Sequence, residues 1–135
     1  MFKMKNNFIC PRCKGYLNVG ESIVLAADTE HKDAGLILLS PELGNYTIKT
    51  NSFFQIREGE KYDFFCPICQ QKLATDIHDN LSRILMVDDN SNHFEILFSK
   101  IAGEKSTYKI IGESLEVYGD HNSNYIDFLG LSNLK

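Results

Sequence analysis

The cysteines are the residues of this sequence with the clearest chemistry. All four occur in two C-P-x-C pairs, Cys10 with Cys13 and Cys66 with Cys69, and 52 residues separate the pairs. A pair with two intervening residues wraps a tight turn that points both thiolates at one ion, and two such pairs complete a tetrahedral site. The proline after each first cysteine presets φ to about −65°, which suits the start of such a turn. The sequence therefore predicts one metal ion held by four thiolates.

Three other roles for the cysteines fit less well. Chance composition could give four buried cysteines without a metal, but it would not be expected to place all four in two identical C-P-x-C pairs. Disulfides are disfavoured because we expect an unexported chain in a reducing cytosol. A thioredoxin-like redox motif needs its C-x-x-C at a helix N-terminus after a strand, whereas short segments punctuated by turns follow both pairs here.

The residues around the two pairs are alike. Phe8 and Phe65 precede them, and Leu17 and Leu73 both lie four residues after the second cysteine. In these segments, residues 10–17 and 66–73, the chain resembles the zinc-ribbon and rubredoxin-like group, in which two C-P-x-C knuckles on facing β-hairpins hold one ion. The resemblance implies zinc. It also implies iron as the alternative, as in rubredoxin-like electron transfer, because thiolate ligands alone do not select between the two metals.

Two features depart from that group. Many of its knuckles have glycine directly after the second cysteine or one position later, where φ is often positive. Gly15 fits the later position in the first knuckle, but Gln70 and Gln71 fill both positions in the second. We therefore expect a less regular second turn. The spacer also exceeds the roughly 15 to 20 residues of short four-cysteine modules, so the ion would join a full β-domain.

The two halves of the chain resemble each other. The two knuckle segments align at an offset of 56, and residues 22–28 align with residues 82–88 at an offset of 60. We interpret this as an internal pseudo-repeat of about residues 8–65 and 64–129 within a single domain, residues 1–135. The alternative is that any two β-meanders share such spacing.

Short runs rich in β-branched and aromatic residues recur along the chain, separated by Gly, Asn, Asp or Pro. They predict a mostly β fold of two related β-meanders joined by the four-cysteine site. The predicted strands are residues 23–27, 36–39, 46–50, 53–57, 63–65, 83–87, 94–101, 107–111, 115–118 and 125–129. One short helix is the exception, predicted after the second knuckle because Leu73, Ile77, Leu81 and Leu85 recur every four residues.

The sequence shows no catalytic constellation. A site of four cysteine ligands is closed and has no position for an activated water, so it is more often structural than catalytic. A glycine-rich phosphate loop is also absent. His31 and His93 fall at equivalent places in the two halves. They are expected to lie in surface loops, with a second metal or substrate site as the alternative. These features favour a non-enzymatic binding protein.

Charge is unevenly distributed. The chain has a formal net charge of −4, yet residues 1–20 contain four basic residues and no acidic one. Arg12 and Lys14 belong to this basic segment and flank Cys13. They can balance the negative charge of a thiolate-ligated ion. Alternatively, they can contact phosphate while nearby aromatic residues stack on bases. A pI near 5.5 argues against an extended nucleic-acid footprint.

The composition, 43% hydrophobic and 24% charged, is that of a folded globular protein. No apolar run approaches the roughly 18 residues of a membrane-spanning helix, so we expect a cytoplasmic protein that is not in a membrane. Another protein is the favoured partner, bound through a sheet edge or through exposed aromatic side chains. The aromatic candidates, most of which are expected in the core, are Phe53, Phe54, Tyr62, Phe64 and Phe65. The sequence does not indicate an oligomeric state.

Overall fold

A computed structural model describes residues 6–29 and 33–129. These residues are mostly β, as predicted. The strands are β1 (Asn7–Ile9), β2 (Asn18–Val19), β3 (Ser22–Thr29), β4 (Ala34–Leu39), β5 (Ile48–Thr50), β6 (Tyr62–Phe65), β7 (Leu81–Val87), β8 (His93–Ser99), β9 (Thr107–Ile111) and β10 (Ser114–Tyr118). Two 3₁₀-helices follow, at Asn122–Asn124 and Ile126–Leu129. No helix in the described ranges is long and apolar enough to cross a membrane.

The strands form two antiparallel sheets. Sheet I has the order β2-β3-β4-β5, with β6 also paired to β3. Sheet II has the order β1-β7-β8-β9-β10. In each sheet four successive strands are joined as hairpins, β2 to β5 in one and β7 to β10 in the other. The two predicted meanders are therefore the centres of the two sheets.

The burial pattern of the strands shows how the sheets pack. In β3 the buried residues alternate with half-buried ones, so that Ile23, Leu25 and Ala27 face the core. This is the period-two pattern of a strand with one face packed. Strand β7 is buried along most of its length. It contributes Ile84 and Met86 to the main core and Leu81 to a second cluster.

The second cluster covers the other face of sheet II. Leu81, Leu97 and Tyr108 pack there against Tyr125 and Leu129 from the C-terminal 3₁₀ segment. This segment is held by hydrogen bonds to the sheet as well as by apolar contacts. The carboxylate of Glu104 accepts from the Tyr125 hydroxyl, from the Asn124 side chain and from the Ser99 hydroxyl. Sheet II is thus the middle layer of the fold.

Two hairpins connect the sheets. The first runs from sheet II to sheet I, and the second runs from sheet I to sheet II. Strand β1 pairs with β7 in sheet II and continues through the first knuckle into β2, which pairs with β3 in sheet I. Strand β6 pairs with β3 in sheet I and continues through the second knuckle to Ala74, which pairs with Ser82 of β7 in sheet II. Each hairpin therefore has one arm in each sheet, and the cysteines lie between the arms. The internal repeat, as a duplication of sequence, remains a prediction.

The predicted helix after the second knuckle is wrong. Between the knuckle and β7 the chain makes turns and isolated bridges, Phe65 to Lys72 and Ala74 to Ser82, and β7 begins at Leu81. The four-residue spacing of these apolar residues misled the prediction, because it fits a strand, in which every second residue lies on the same face, as well as a helix. Residues four apart lie on one face of a strand as well as on one face of a helix, and Leu81 and Leu85 are related in this way within β7.

Two predicted strands are also absent. Residues 53–57 form turns, in which Phe54 donates its N–H to the carbonyl of Asn51, and residues 126–129 form a 3₁₀-helix instead of a strand. Each segment contains or directly follows one large aromatic side chain that is buried, Phe54 or Tyr125. Phe54 packs against Gly35, and Tyr125 packs against the outer face of sheet II. Strands β1 and β2, of three and two residues, were not predicted.

Candidate metal centre

Both knuckles have the same backbone geometry. The residue after the second cysteine, Lys14 or Gln70, is left-handed with φ of 63° or 66°. Its N–H donates to the carbonyl of the first cysteine, Cys10 or Cys66, at 3.0 and 2.8 Å. The expectation of a less regular second turn is therefore wrong. A single left-handed residue costs only about 1–2 kcal/mol without glycine, and a turn closed by this hydrogen bond tolerates it.

The four sulfur atoms form one cluster. All Sγ atoms lie within 4.8 Å of one another. The distance from Cys10 Sγ to Cys69 Sγ is 3.8 Å, and the distance from Cys13 Sγ to Cys66 Sγ is also 3.8 Å. Tetrahedral coordination with metal–sulfur bonds of about 2.3 Å separates the sulfurs by about 3.8 Å. The cluster therefore has the size of a tetrahedral metal site, and both 3.8 Å pairs join one knuckle to the other.

Backbone N–H groups point at the sulfurs. In each knuckle the two N–H groups that follow the proline donate to the sulfur of the first cysteine, at 3.3 and 3.4 Å. The donors are Arg12 and Cys13 onto Cys10, and Ile68 and Cys69 onto Cys66. Gly15 donates in addition to Cys13 Sγ at 3.3 Å. Hydrogen bonds to a sulfur favour its ionised form, which is the form that binds metal.

Burial acts in the opposite direction on the two inner thiols, Cys10 and Cys66, which have no exposed surface. Burial raises the pKa of Cys66 to about 12, although N–H groups oppose it. Burial also acts to raise the pKa of Cys10, but hydrogen bonds from the N–H groups of Cys13 and Arg12 and from the Cys66 and Cys69 thiols together lower it. Full ionisation of the cluster requires a positive charge between the sulfurs, which a metal ion supplies.

The two predicted contact residues lie at the tip of the first knuckle. Arg12 and Lys14 are exposed, and Lys14 Nζ donates to the carbonyl of Pro11 at 2.9 Å. The structure adds to them Tyr16, one of the nearby aromatic residues that the sequence offered for stacking on bases, and Ile68, which sequence reasoning missed. Tyr16 is 67% exposed and Ile68, at the tip of the second knuckle, is 57% exposed. We call Arg12, Lys14, Tyr16 and Ile68 the knuckle-tip surface.

Gly15 brings the two knuckle tips together. A Cβ atom at this position would lie 2.5 Å from Cδ1 of Ile68, so a larger residue would displace that side chain. The only sequence signal for this contact was the presence of glycine in one knuckle and its absence from the other. The role of Gly15 is therefore close packing, while the left-handed position before it is filled by Lys14.

No histidine among the described residues joins the cluster. His93 is exposed at the start of β8, where its Nδ1 lies 3.1 Å from the carbonyl of Ser91, and His31 lies outside the described residues. Among the described residues, the four cysteines are the one group of three or more His, Cys, Asp or Glu side chains with metal-site spacing. Of the predicted aromatic set, Phe53 is 98% exposed, whereas Phe54, Tyr62 and Phe64 are buried.

The fold and the site define a two-sheet antiparallel β protein with a candidate four-cysteine metal centre between its connecting hairpins. No protein-family model, no curated protein and no solved structure matches this chain.

Proposed function

We propose that the protein is a non-enzymatic binding module in which Cys10, Cys13, Cys66 and Cys69 hold one structural zinc ion in a zinc-ribbon-like arrangement. The observation that carries this proposal is the pair of 3.8 Å sulfur distances between the knuckles. Four protein thiolates leave a tetrahedral ion no open position for water or substrate. The ion would join the two hairpins that connect the sheets, so its role would be to fix the sheets relative to each other.

Metal analysis tests the identity of the ion. Freshly reduced wild type should contain one zinc per chain and show no visible absorption band, and Cys66→Ser should lose the zinc. If the wild type contains iron and shows a visible iron–thiolate band, the result would favour the rubredoxin-like alternative, electron transfer, over a structural zinc site. Absence of metal from wild type purified without chelator would contradict the proposal.

The knuckle-tip surface is the proposed contact for a partner protein. It combines an exposed aromatic ring, an exposed aliphatic side chain and two cations within a few residues of the metal centre. Tyrosine and arginine are enriched among residues that dominate protein–protein binding energies. The complementary partner is a segment that carries acidic and apolar side chains together.

Single-stranded nucleic acid is the second candidate, because exposed Tyr16 lies within four residues of exposed Arg12 and Lys14 in the sequence. An exposed ring next to basic side chains can stack on a base while the cations contact phosphate. The two candidates differ in salt dependence, since phosphate contacts release counterions and lose affinity steeply as salt rises.

Paired charge and aromatic substitutions test the surface. Proteins captured by the metal-loaded wild type would be identified, purified and titrated against Arg12→Glu/Tyr16→Ala. The control is Arg57→Glu/Phe53→Ala, which changes an exposed arginine and an exposed aromatic residue elsewhere. We expect at least about a tenfold loss of affinity for the knuckle-tip variant and none for the control. Loss in the control alone would contradict the assigned surface. Salt-sensitive binding of oligothymidylate would favour nucleic acid.

A further inference from the structure

A cavity of about 280 Å³ lies between the two sheets. Its walls are apolar side chains from both sheets. They include Ile23, Ile37 and Phe64 from sheet I, and Ile84, Ile96 and Phe98 from sheet II. Protein interiors are close-packed and contain few voids larger than a water molecule. The side of the main core that borders this cavity is therefore incompletely covered by the protein's own side chains.

The size of the cavity sets the size of an occupant. An engineered apolar cavity of about 150 Å³ stays dry and binds benzene, so this cavity has room for roughly two aromatic rings or an eight-carbon chain. An unfilled cavity destabilises a protein in proportion to its volume. A ligand that fills the space without polar groups would recover that loss.

The polar groups around the cavity are already engaged. The hydroxyl of Tyr46 lies 2.8 Å from Thr107 Oγ1 and donates to the carbonyl of Tyr118. Lys100 is buried, and its Nζ donates to Asp63 Oδ1 at 3.2 Å. Neither group offers a bond to a ligand inside the cavity. An occupant would therefore be apolar within the cavity and would carry any polar head at the mouth.

The charge at the mouth sets the preferred head group. Three exposed charged residues border the cavity: Glu42, Glu58 and Lys105. Carboxylates outnumber the cation, so a negatively charged head would be repelled and a neutral or positive one accepted.

We propose that this cavity is a binding site for a small apolar molecule with a neutral or cationic head group, of the size of an octyl chain or a two-ring aromatic. The site lies between the sheets, and its lining includes none of the four cysteines. Binding there would add a ligand-dependent function to the metal-joined scaffold. The proposal does not depend on the partner assigned to the knuckle-tip surface.

Calorimetric titration of the metal-loaded full chain tests the site. The probes are octylamine, octanol and octanoate, which share one chain and differ in head charge. We expect saturable binding of octylamine and octanol and weaker binding of octanoate. If none of the three probes binds saturably, the proposal is overturned and the cavity is only a packing defect. Octanoate binding tighter than octylamine would overturn the assigned ligand class.

A filling variant shows where the probes bind. Ile96→Phe should occupy part of the cavity, lower the affinity for octylamine at least tenfold and raise the melting temperature. The control Ile110→Phe adds the same ring on the opposite face of sheet II and should leave the affinity unchanged. If Ile96→Phe fails to fold, Ile48→Phe at the half-exposed edge of the lining takes its place. Unchanged affinity in a folded filling variant would overturn the site.

Charge reversal tests the mouth. Glu58→Lys should shift the ratio of octylamine to octanoate affinity towards octanoate by about fivefold, the scale of an exposed charge interaction. Glu113→Lys makes the same change in the exposed turn between β9 and β10 and should leave the ratio unchanged. Equal shifts in the two variants would overturn the role of the mouth charges, because they would report the net charge of the protein.

Discussion

Chelation of the bound ion is expected to remove most of the stability of the protein, so that it unfolds at a much lower temperature. The ion would crosslink two hairpins whose cysteine pairs are separated by 52 residues. By analogy with a disulfide that closes a loop of this length, the crosslink contributes about 4 kcal/mol through the entropy of the unfolded chain. Apparent binding free energies of structural zinc reach about 10–16 kcal/mol. Total domain stabilities are about 5–15 kcal/mol, so removal of the ion would consume most of the stability.

The structure gives a second reason for this expectation. Without an ion the buried thiols Cys10 and Cys66 would be held near the other sulfurs only by weak contacts. The arms of the hairpins in sheet I and sheet II would then lose the connection at their tips. We expect the loss to appear as a drop in the midpoint of thermal unfolding, followed by circular dichroism in reducing buffer with and without chelator.

Two serine variants separate metal binding from packing. Cys66→Ser replaces a buried thiol, and Cys13→Ser replaces an exposed one. Both remove one ligand, so both should unfold at the midpoint of the chelated wild type and should not respond to chelator. Destabilisation by Cys66→Ser alone would show that packing of the buried thiol matters and ligation does not. An unchanged transition in wild type shown to be metal-free would contradict the structural role of the ion.

The cysteine cluster was predictable because its signal is local. Spacing within each C-P-x-C turn determines which atoms can face one ion, and two copies of the motif suggest that they share it. The β class was predictable for the same reason, since β-branched and aromatic runs mark strands without knowledge of their partners. These predictions required no information about contacts between distant residues.

The arrangement around the cluster was not predictable from local patterns. Strands β1 and β2 are too short to show alternation, and their pairing with opposite sheets is a long-range property. The spacing of Leu81 and Leu85 fits a helix and a strand equally well. The knuckle-tip surface was predictable only in part, because Tyr16 lies near Arg12 and Lys14 in the sequence, whereas the exposure of Ile68 depends on how the two knuckles meet. The cavity depends on the distance between the sheets, which no single segment encodes.

The second large effect is expected at Gly119, which follows β10 with a φ of +95°. A Cβ atom there would overlap the carbonyl oxygen of Lys105 and would lie 2.5 Å from the hydroxyl of Tyr46. The carbonyl belongs to the backbone and also accepts the N–H of His121 at 2.8 Å. Gly119→Ala must therefore displace the chain that leads to the C-terminal cover of sheet II. We expect a loss of about 3 kcal/mol in the free energy of unfolding, from backbone strain and overpacking together.

Gly112→Ala is the matched control for this prediction. Gly112 also has positive φ, +56°, but an added Cβ atom would meet no atom within 4 Å. Its substitution should cost only the left-handed conformation, about 1 kcal/mol, in urea unfolding of the metal-loaded protein. Equal losses at the two glycines would show that the close approach at Gly119 is not present in solution.

Tyr46→Phe in the Gly119→Ala background shows which neighbouring group leaves no room for the added Cβ atom. If the Tyr46 hydroxyl is the main obstacle, its removal should recover part of the free energy of unfolding that Gly119→Ala loses. If the Lys105 carbonyl is the main obstacle, the double variant should be no more stable than Gly119→Ala.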